Sequence, residues 1–193
     1  MIDGLLRIPL RRFEDERGWF VELRRDTELP RPMRQTNLVF SRRGVIRALH
    51  HHERGQDDLF ICVQGTARVV VLDLETGEAF SEDIGDENPV AIYVPGRHAH
   101  GYEALTDTLF CYHVTAEYDP ADPDEHGICW ADPRVRHLWG TETPILSARD
   151  AAACSTSSGR ASPGGGGSVT SQSACAKSTT SSSAKVSPSA WPS

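Results

Sequence analysis

Lysine is almost missing from this 193-residue chain. Only Lys177 and Lys185 occur, so the first 150 residues hold none and every lysine-type charge there is replaced by arginine. Of the 20 basic residues, three (Arg160, Lys177 and Lys185) follow Asp150. That leaves 17 against all 27 acidic residues, a net charge of −10 for residues 1–150. A surface this acidic is a poor partner for DNA, RNA or an anionic membrane, although a local arginine cluster can still hold a phosphate. Long apolar runs are absent too: none approaches the ~20 residues of a membrane span, and the first residues lack the apolar core of a signal peptide. The five cysteines form no Cys-x-x-Cys pair, and Cys62 and Cys111 fall in apolar runs that suit small buried hydrophobes. A reduced, cytoplasmic protein that binds neither nucleic acid nor membrane is expected.

No internal repeat and no sustained 3.6-residue periodicity precede Asp119. What is present instead is a series of short apolar runs: Leu5–Leu10, Asn37–Phe40, Val45–Leu49, Leu59–Val63, Ala67–Leu74, Ala91–Val94 and Leu109–Val114. Turn signals such as Arg42-Arg43-Gly44, Glu75-Thr76-Gly77 and Pro95-Gly96 separate them. Strands spaced in this way predict an antiparallel all-β domain of jelly-roll type, with a short helical segment after the Asp/Pro-rich stretch Asp119–Asp124. From Ala151 the composition turns to Ser, Thr, Gly and Ala. Such a segment cannot bury enough surface to offset ~1–2 kcal/mol of ordering entropy per residue, so residues 1–150 are read as the domain and 151–193 as a disordered tail.

Chemistry concentrates in two histidine strings, Gly44-Val45-Ile46-Arg47-Ala48-Leu49-His50-His51-His52 and Pro95-Gly96-Arg97-His98-Ala99-His100-Gly101. On a strand, side chains alternate, so Ala48, His50 and His52 share one face while Arg47 and Leu49 take the other, unless a bulge intervenes. Two strands with inward imidazoles build a site in the mouth of a small β-barrel. Whether that site holds a metal or moves protons without one stays open at this level.

The order of the motifs is more specific. Phe13-Glu14-Asp15-Glu16-Arg17-Gly18-Trp19-Phe20-Val21-Glu22, Gln35-Thr36-Asn37, the two histidine strings, the pair Tyr112 and Tyr118, Trp130-Ala131-Asp132-Pro133 and Leu146-Ser147-Ala148-Arg149-Asp150 follow one another. Together they resemble the dTDP-4-dehydrorhamnose 3,5-epimerase family across nearly all of residues 1–150. The resemblance implies a cupin barrel that forms homodimers, takes a nucleotide sugar and inverts centres beside a sugar ketone without a cofactor. It implies His50 as the base, Asp150 as its partner and Tyr112 as the acid on the opposite face. Arg17, Glu22, Gln35, Asn37, Arg47, His100 and Tyr118 would contact substrate. Histidine suits removal of a ketone α-proton because its pKa lies near neutral pH.

Two positions depart from the family. His52 stands where the family has glutamine, and Asp58 stands where it has the lysine expected to stabilise the enolate oxygen. Losing one such donor typically costs ~3–4 kcal/mol in the barrier. The same departures allow a metal-dependent cupin that holds a divalent first-row metal on His50, His52, Asp58 and His100. They also allow a catalytically degenerate protein that still binds a nucleotide sugar.

Overall fold

Apolar runs without alternation, such as Val69-Val70-Val71-Leu72, suit strands covered on both faces. The computed structural model, which describes residues 2–157, is built from such strands. In chain order they are β1 (Leu6–Pro9), β2 (Arg12–Asp15), β3 (Gly18–Val21), β4 (Gln35–Ser41), β5 (Ile46–His51) and β6 (Asp58–Gln64). There follow β7 (Thr66–Leu72), β8 (Ala79–Gly85), β9 (Val90–Val94), β10 (Ala99–Ala104), β11 (Thr108–Val114) and the short β12 (His126–Gly127). One helix, α1 (Ala148–Ser157), closes the described chain.

The strands form two five-stranded antiparallel sheets, ordered β1-β9-β6-β11-β4 and β12-β5-β10-β7-β8, with β2 and β3 as a separate hairpin. Strands β4 to β11 are distributed over the two sheets in jelly-roll order, and the sheets stay distinct rather than closing into one barrel. Gly65 (φ +82°) makes the turn between β6 and β7, and a Cβ there would strike the Asp107 carbonyl and the Thr106 side chain. Only glycine meets both demands.

Three apolar layers result. Phe60, Cys62, Ile92 and Phe110 of the first sheet meet Val69, Val71 and Tyr102 of the second in the interior. The outer face of the second sheet (Ile46, Ala48, Leu49, Val70, Leu72) is covered by Trp130, Val135 and Trp139 from the C-terminal segment. On the outer face of the first sheet, Leu59, Ile61, Ala91 and Tyr93 pack with Met33, and Leu10, Leu23 and Leu29 lie against them. Each fully buried large apolar side chain contributes ~1.5–3 kcal/mol, so both outer layers add to the interior in holding the frame.

Two expectations need correction. The boundary set between Asp150 and Ala151 falls inside α1, which continues to Ser157; the remainder of the expected disordered tail lies outside the described residues. The expectation of a wholly reduced chain fails as well, because a disulfide joins Cys129 to Cys154 and ties α1 to the segment that follows β12. Cys62 and Cys111 are free and buried, as their apolar runs suggested.

Candidate active site

Strand β5 carries an extra residue against β10. His100 pairs with His50 but Tyr102 pairs with Arg47, so three steps on one strand match two on the other. This bulge, whose Ala48–Leu49 peptide is cis, breaks the strict alternation expected from sequence. Ala48 and Leu49 both join the outer layer, while Arg47 and His50 face inward together. The assignment of Arg47 and His50 to opposite faces is therefore corrected. Arg47 Nε donates to Ser41 Oγ at 3.1 Å, and Ser41 Oγ is 2.8 Å from the Tyr102 hydroxyl.

His50 meets its partner from the far end of the chain. Its Nε2–H donates to Asp150 Oδ1 at 2.8 Å. Ser147, at the start of α1, accepts from the Asp150 amide at 3.1 Å and donates to Asp150 Oδ2 at 2.9 Å. That reciprocal pair orients the carboxylate. Burial alone would raise the Asp150 pKa, but the hydrogen bond and charge of His50 outweigh it, so the group is held below its ordinary value. With Nε2 committed, the free lone pair of neutral His50 sits on Nδ1, which lies 3.8 Å from Glu125 Oε1.

Tyr112 approaches from the other sheet. It sits on β11 between Asn37 and Phe60 and packs against the interior layer. Burial raises its pKa, and the charges of Asp58 and Glu125 add to the effect. Gln35 links the neighbouring polar residues: its Nε2 donates to Asn37 Oδ1 at 2.8 Å, and its Oε1 accepts from the Tyr118 amide at 2.8 Å. Tyr118 lines a cavity of ≈230 Å³ together with His52, Gln56 and Glu125.

The fold does not bring every expected contact residue to this place. Arg17 projects from the β2–β3 turn and pairs with Asp15, and Glu22 pairs with Arg25. Glu22 lines a larger cavity of ≈490 Å³ beside the hairpin, which contains neither His50 nor Asp150. Volume therefore does not mark the chemistry here.

The four-residue metal set is also revised. His52, Asp58 and His100 are buried with donor atoms within 4.8 Å of one another, and His50, engaged by Asp150, is not among them. Burial, followed by the charge of His100, lowers the His52 pKa. Burial would raise Asp58 and lower His100, yet their mutual attraction prevails and moves each the opposite way. Sequence reasoning missed Gln56, Asp124, Glu125 and Arg149 as neighbours of these groups. The acid-rich run Asp119–Glu125 is the sequence signal for two of them.

Comparison with known proteins gives the family of the chain. The model of the dTDP-4-dehydrorhamnose 3,5-epimerase family matches residues 1–158. The chain belongs to this family. It is accordingly an epimerase, an enzyme of the isomerase class. The Bacillus subtilis spore coat polysaccharide biosynthesis protein SpsL is 39% identical to this epimerase over 150 residues, 74% of this chain and 99% of that protein. The dTDP-4-dehydrorhamnose 3-epimerase of Streptomyces niveus is 34% identical over 173 residues, 82% of this chain and 83% of its own. Among solved structures, NovW, a 4-keto-6-deoxy sugar epimerase from the novobiocin biosynthetic gene cluster of Streptomyces spheroides, is similar with a TM-score of 0.70. Its identity is 33%, covering 78% of this chain and 81% of NovW.

Proposed function

We propose that this epimerase inverts C3, C5 or both of a dTDP-linked 4-keto-6-deoxyhexose, in deoxysugar biosynthesis of the rhamnose type. The observation that carries the reading is the His50–Asp150 pair at the interior edge of one sheet, with Tyr112 on the facing sheet. His50 Nδ1 takes the proton from the carbon next to the C4 ketone, and the electron pair moves into the enolate. Tyr112 returns a proton to the opposite face of that carbon, which inverts it. Asp150 balances the imidazolium formed in the first step and keeps the ring in the tautomer that exposes Nδ1. The proton leaves to one side chain and returns from another, so the reaction needs no cofactor.

The enolate oxygen still needs a positive partner. The family resemblance assigns that part to a lysine, and Asp58 stands in its place. Arg47, turned inward by the bulge, and His100 are the groups of this chain suited to meet the charge. Gln35, Asn37 and Tyr118 form a polar wall for the sugar or the base.

We also propose a homodimer in which a second copy supplies the hairpin residues. Phe13 and Phe20 on the hairpin and Leu38 and Phe40 on the edge strand β4 are 48–64% exposed, a pattern that a partner's surface would cover. Arg17 and Glu22 would reach the nucleotide of the neighbouring subunit. A cytoplasmic location goes with this substrate class; among the described residues no helix is long and apolar enough to cross a membrane.

The direct test follows hydrogen–deuterium exchange at C3 and C5 of dTDP-4-keto-6-deoxyglucose in D2O by NMR. Exchange with inversion is expected. Absence of exchange at both carbons overturns the reading, and exchange at one carbon alone identifies a monofunctional epimerase. Light scattering reads the dimer, and a monomeric mass at micromolar concentration would remove that part.

A further inference from the structure

We propose that the Cys129–Cys154 disulfide is a reversible thiol switch that positions Asp150, so that opening it disengages the carboxylate from His50 and slows epimerisation. The inference rests on the proposed His50–Asp150 chemistry and adds a control of that pair.

The first observation is how α1 is mounted. The chain enters the helix from Ile145, whose amide donates to the Gly44 carbonyl at 2.9 Å and whose carbonyl accepts from the Ile46 amide at 3.1 Å. The helix itself has 10 residues and no large apolar side chain. Such a segment does not hold a helix alone, because nucleation is costly and small side chains bury little area. Arg149 adds an ion pair with Glu125, but its side chain is 59% exposed, where such pairs contribute little. The bond from Cys154 to Cys129 is the second anchor, and Asp150 lies between the two. Cys154 follows Asp150 by about one helical turn, so both leave the same face of α1.

The second observation is what Cys129 is attached to. Gly127 of β12 pairs with His50 itself, and Ile128 exchanges backbone hydrogen bonds with Leu49 at 2.9 and 3.2 Å. Cys129 comes next and is buried in the outer layer with Leu49 and Trp130. The helix lies so close to β12 that a Cβ at Gly127 would come 3.3 Å from the Ala153 Cβ. The disulfide therefore closes a short circuit. It runs from His50 to Gly127 through the strand ladder, from Cys129 to Cys154 through sulfur, and from Asp150 back to His50 through the 2.8 Å hydrogen bond.

The third observation confines the thiol chemistry to this pair. Cys154 is partly exposed, whereas Cys129 is buried. The thiolate of an external dithiol forms a mixed disulfide at Cys154 Sγ, and the bond to Cys129 breaks with its electron pair on Cys129 Sγ, which takes a proton. The Ala131 amide already donates to that sulfur at 3.4 Å and steadies the leaving thiolate. The second thiol of the reagent then closes its own disulfide and frees Cys154, so two electrons and two protons pass to the protein. Cys62 and Cys111 do not compete. Burial pushes the Cys62 thiol up to about 11 and raises that of Cys111, which leaves little thiolate on either. In a cytoplasm, where thiol pools keep most cysteines reduced, a disulfide is more often a sensor than a permanent staple.

The test compares the full chain after treatment with dithiothreitol and after reoxidation with the cyclic disulfide of the same reagent. Reduction should lower kcat for exchange and inversion by about tenfold, less than the ~100-fold that a 1 Å misplacement can cost, with KM little changed. Reoxidation should restore the rate. By 1H–15N NMR, the His50 Nε2 proton held by Asp150 should be visible in the oxidised chain and lost on reduction, while the buried methyl groups of Val69–Leu72 keep their signals. Cys154→Ser should match the reduced chain in either medium, and Cys62→Ala should respond as the parent does. An active enzyme with the same kcat in both states, an unchanged His50 signal, or a loss that spreads to the core methyl groups would overturn the switch. If neither state exchanges the sugar protons, the proposed proton chemistry falls, and the His50 signal still decides whether the disulfide positions Asp150.

Discussion

His50 and His52 stand two residues apart, and a carboxylate faces each of them, but the two rings are anchored through opposite nitrogens. Asp150 takes Nε2 of His50, so Nδ1 is the open atom and points toward Glu125 at the cavity. The Asp124 carbonyl takes Nδ1 of His52, so Nε2 faces buried Asp58 and accepts from the Gln56 amide at 3.1 Å. The side chain of His50 is 16% exposed and that of His52 is 5%. The same residue type thus leaves Nδ1 facing Glu125 in one case, the arrangement the proposed base requires, and joins a buried polar cluster in the other. The comparison teaches that a histidine's task follows from the partner that fixes its tautomer, not from its place in a motif.

The largest effect that can break this comparison comes from His50→Ala. It should lower exchange at the sugar carbons by about 1,000-fold, within the range for losing a general base, while the melting temperature stays close to that of the parent. Exchange at the parental rate would deny His50 its part. Asp150→Asn sharpens the tautomer argument. The amide would donate to Nε2, drive the proton to Nδ1 and so hide the basic lone pair; a loss of about 100-fold in kcat is expected with KM little changed. An unchanged kcat would separate Asp150 from the chemistry.

Tyr112→Phe tests the opposite face. Proton removal by His50 should persist, so exchange into the starting sugar continues, while the inverted product falls by about tenfold or more at one centre. Product formation at the parental rate would mean that another group returns the proton. The smallest effect belongs to His113, which follows Tyr112 on β11 but turns its ring to Thr36. Burial, with help from the Arg24 charge, lowers the His113 pKa to about 4. The unfolded chain takes up this proton near pH 6.5, and the folded one only near 4. Stability should therefore fall as pH drops across that window, by at most one proton's worth of slope. His113→Gln should flatten the slope in urea melts; an identical slope would show that other groups set it.

Much of the frame was legible because burial on both faces leaves a plain mark. Val69-Val70-Val71-Leu72 and Val90-Ala91-Ile92-Tyr93-Val94 lack alternation, and both became fully covered strands. Strand β8, Ala79-Phe80-Ser81-Glu82-Asp83-Ile84-Gly85, went unseen because an edge position tolerates charge and weakens the apolar signal. The hairpin of β2 and β3 is missing from the apolar runs, since its phenylalanines and tryptophan lie exposed among charged residues. Cys129 and Cys154 carried no spacing signal; α1 brings them together by packing on β5 and β12.

For the site, residue types were readable and their grouping was not. The bulge in β5 exists only in relation to the register of β10, and a single inserted residue reverses every inference from parity beyond it. That is why Arg47 was set apart from His50 when the two share a side. The link between Gln35 and the Tyr118 backbone likewise spans 83 positions and leaves no local trace.

The sequence by itself determined the all-β architecture, the acidic and lysine-free domain, and the kinds of side chain available for proton transfer. These follow from local pattern and composition, which act over a few residues at a time. Tertiary structure alone decided which nitrogen anchors each histidine, that Asp58 turns to His52 and His100, and that α1 delivers Asp150 to His50 across 100 positions. Such choices depend on hydrogen bonds and charges that act over a few ångströms between strands and a helix. Only the folded chain brings those groups within that range.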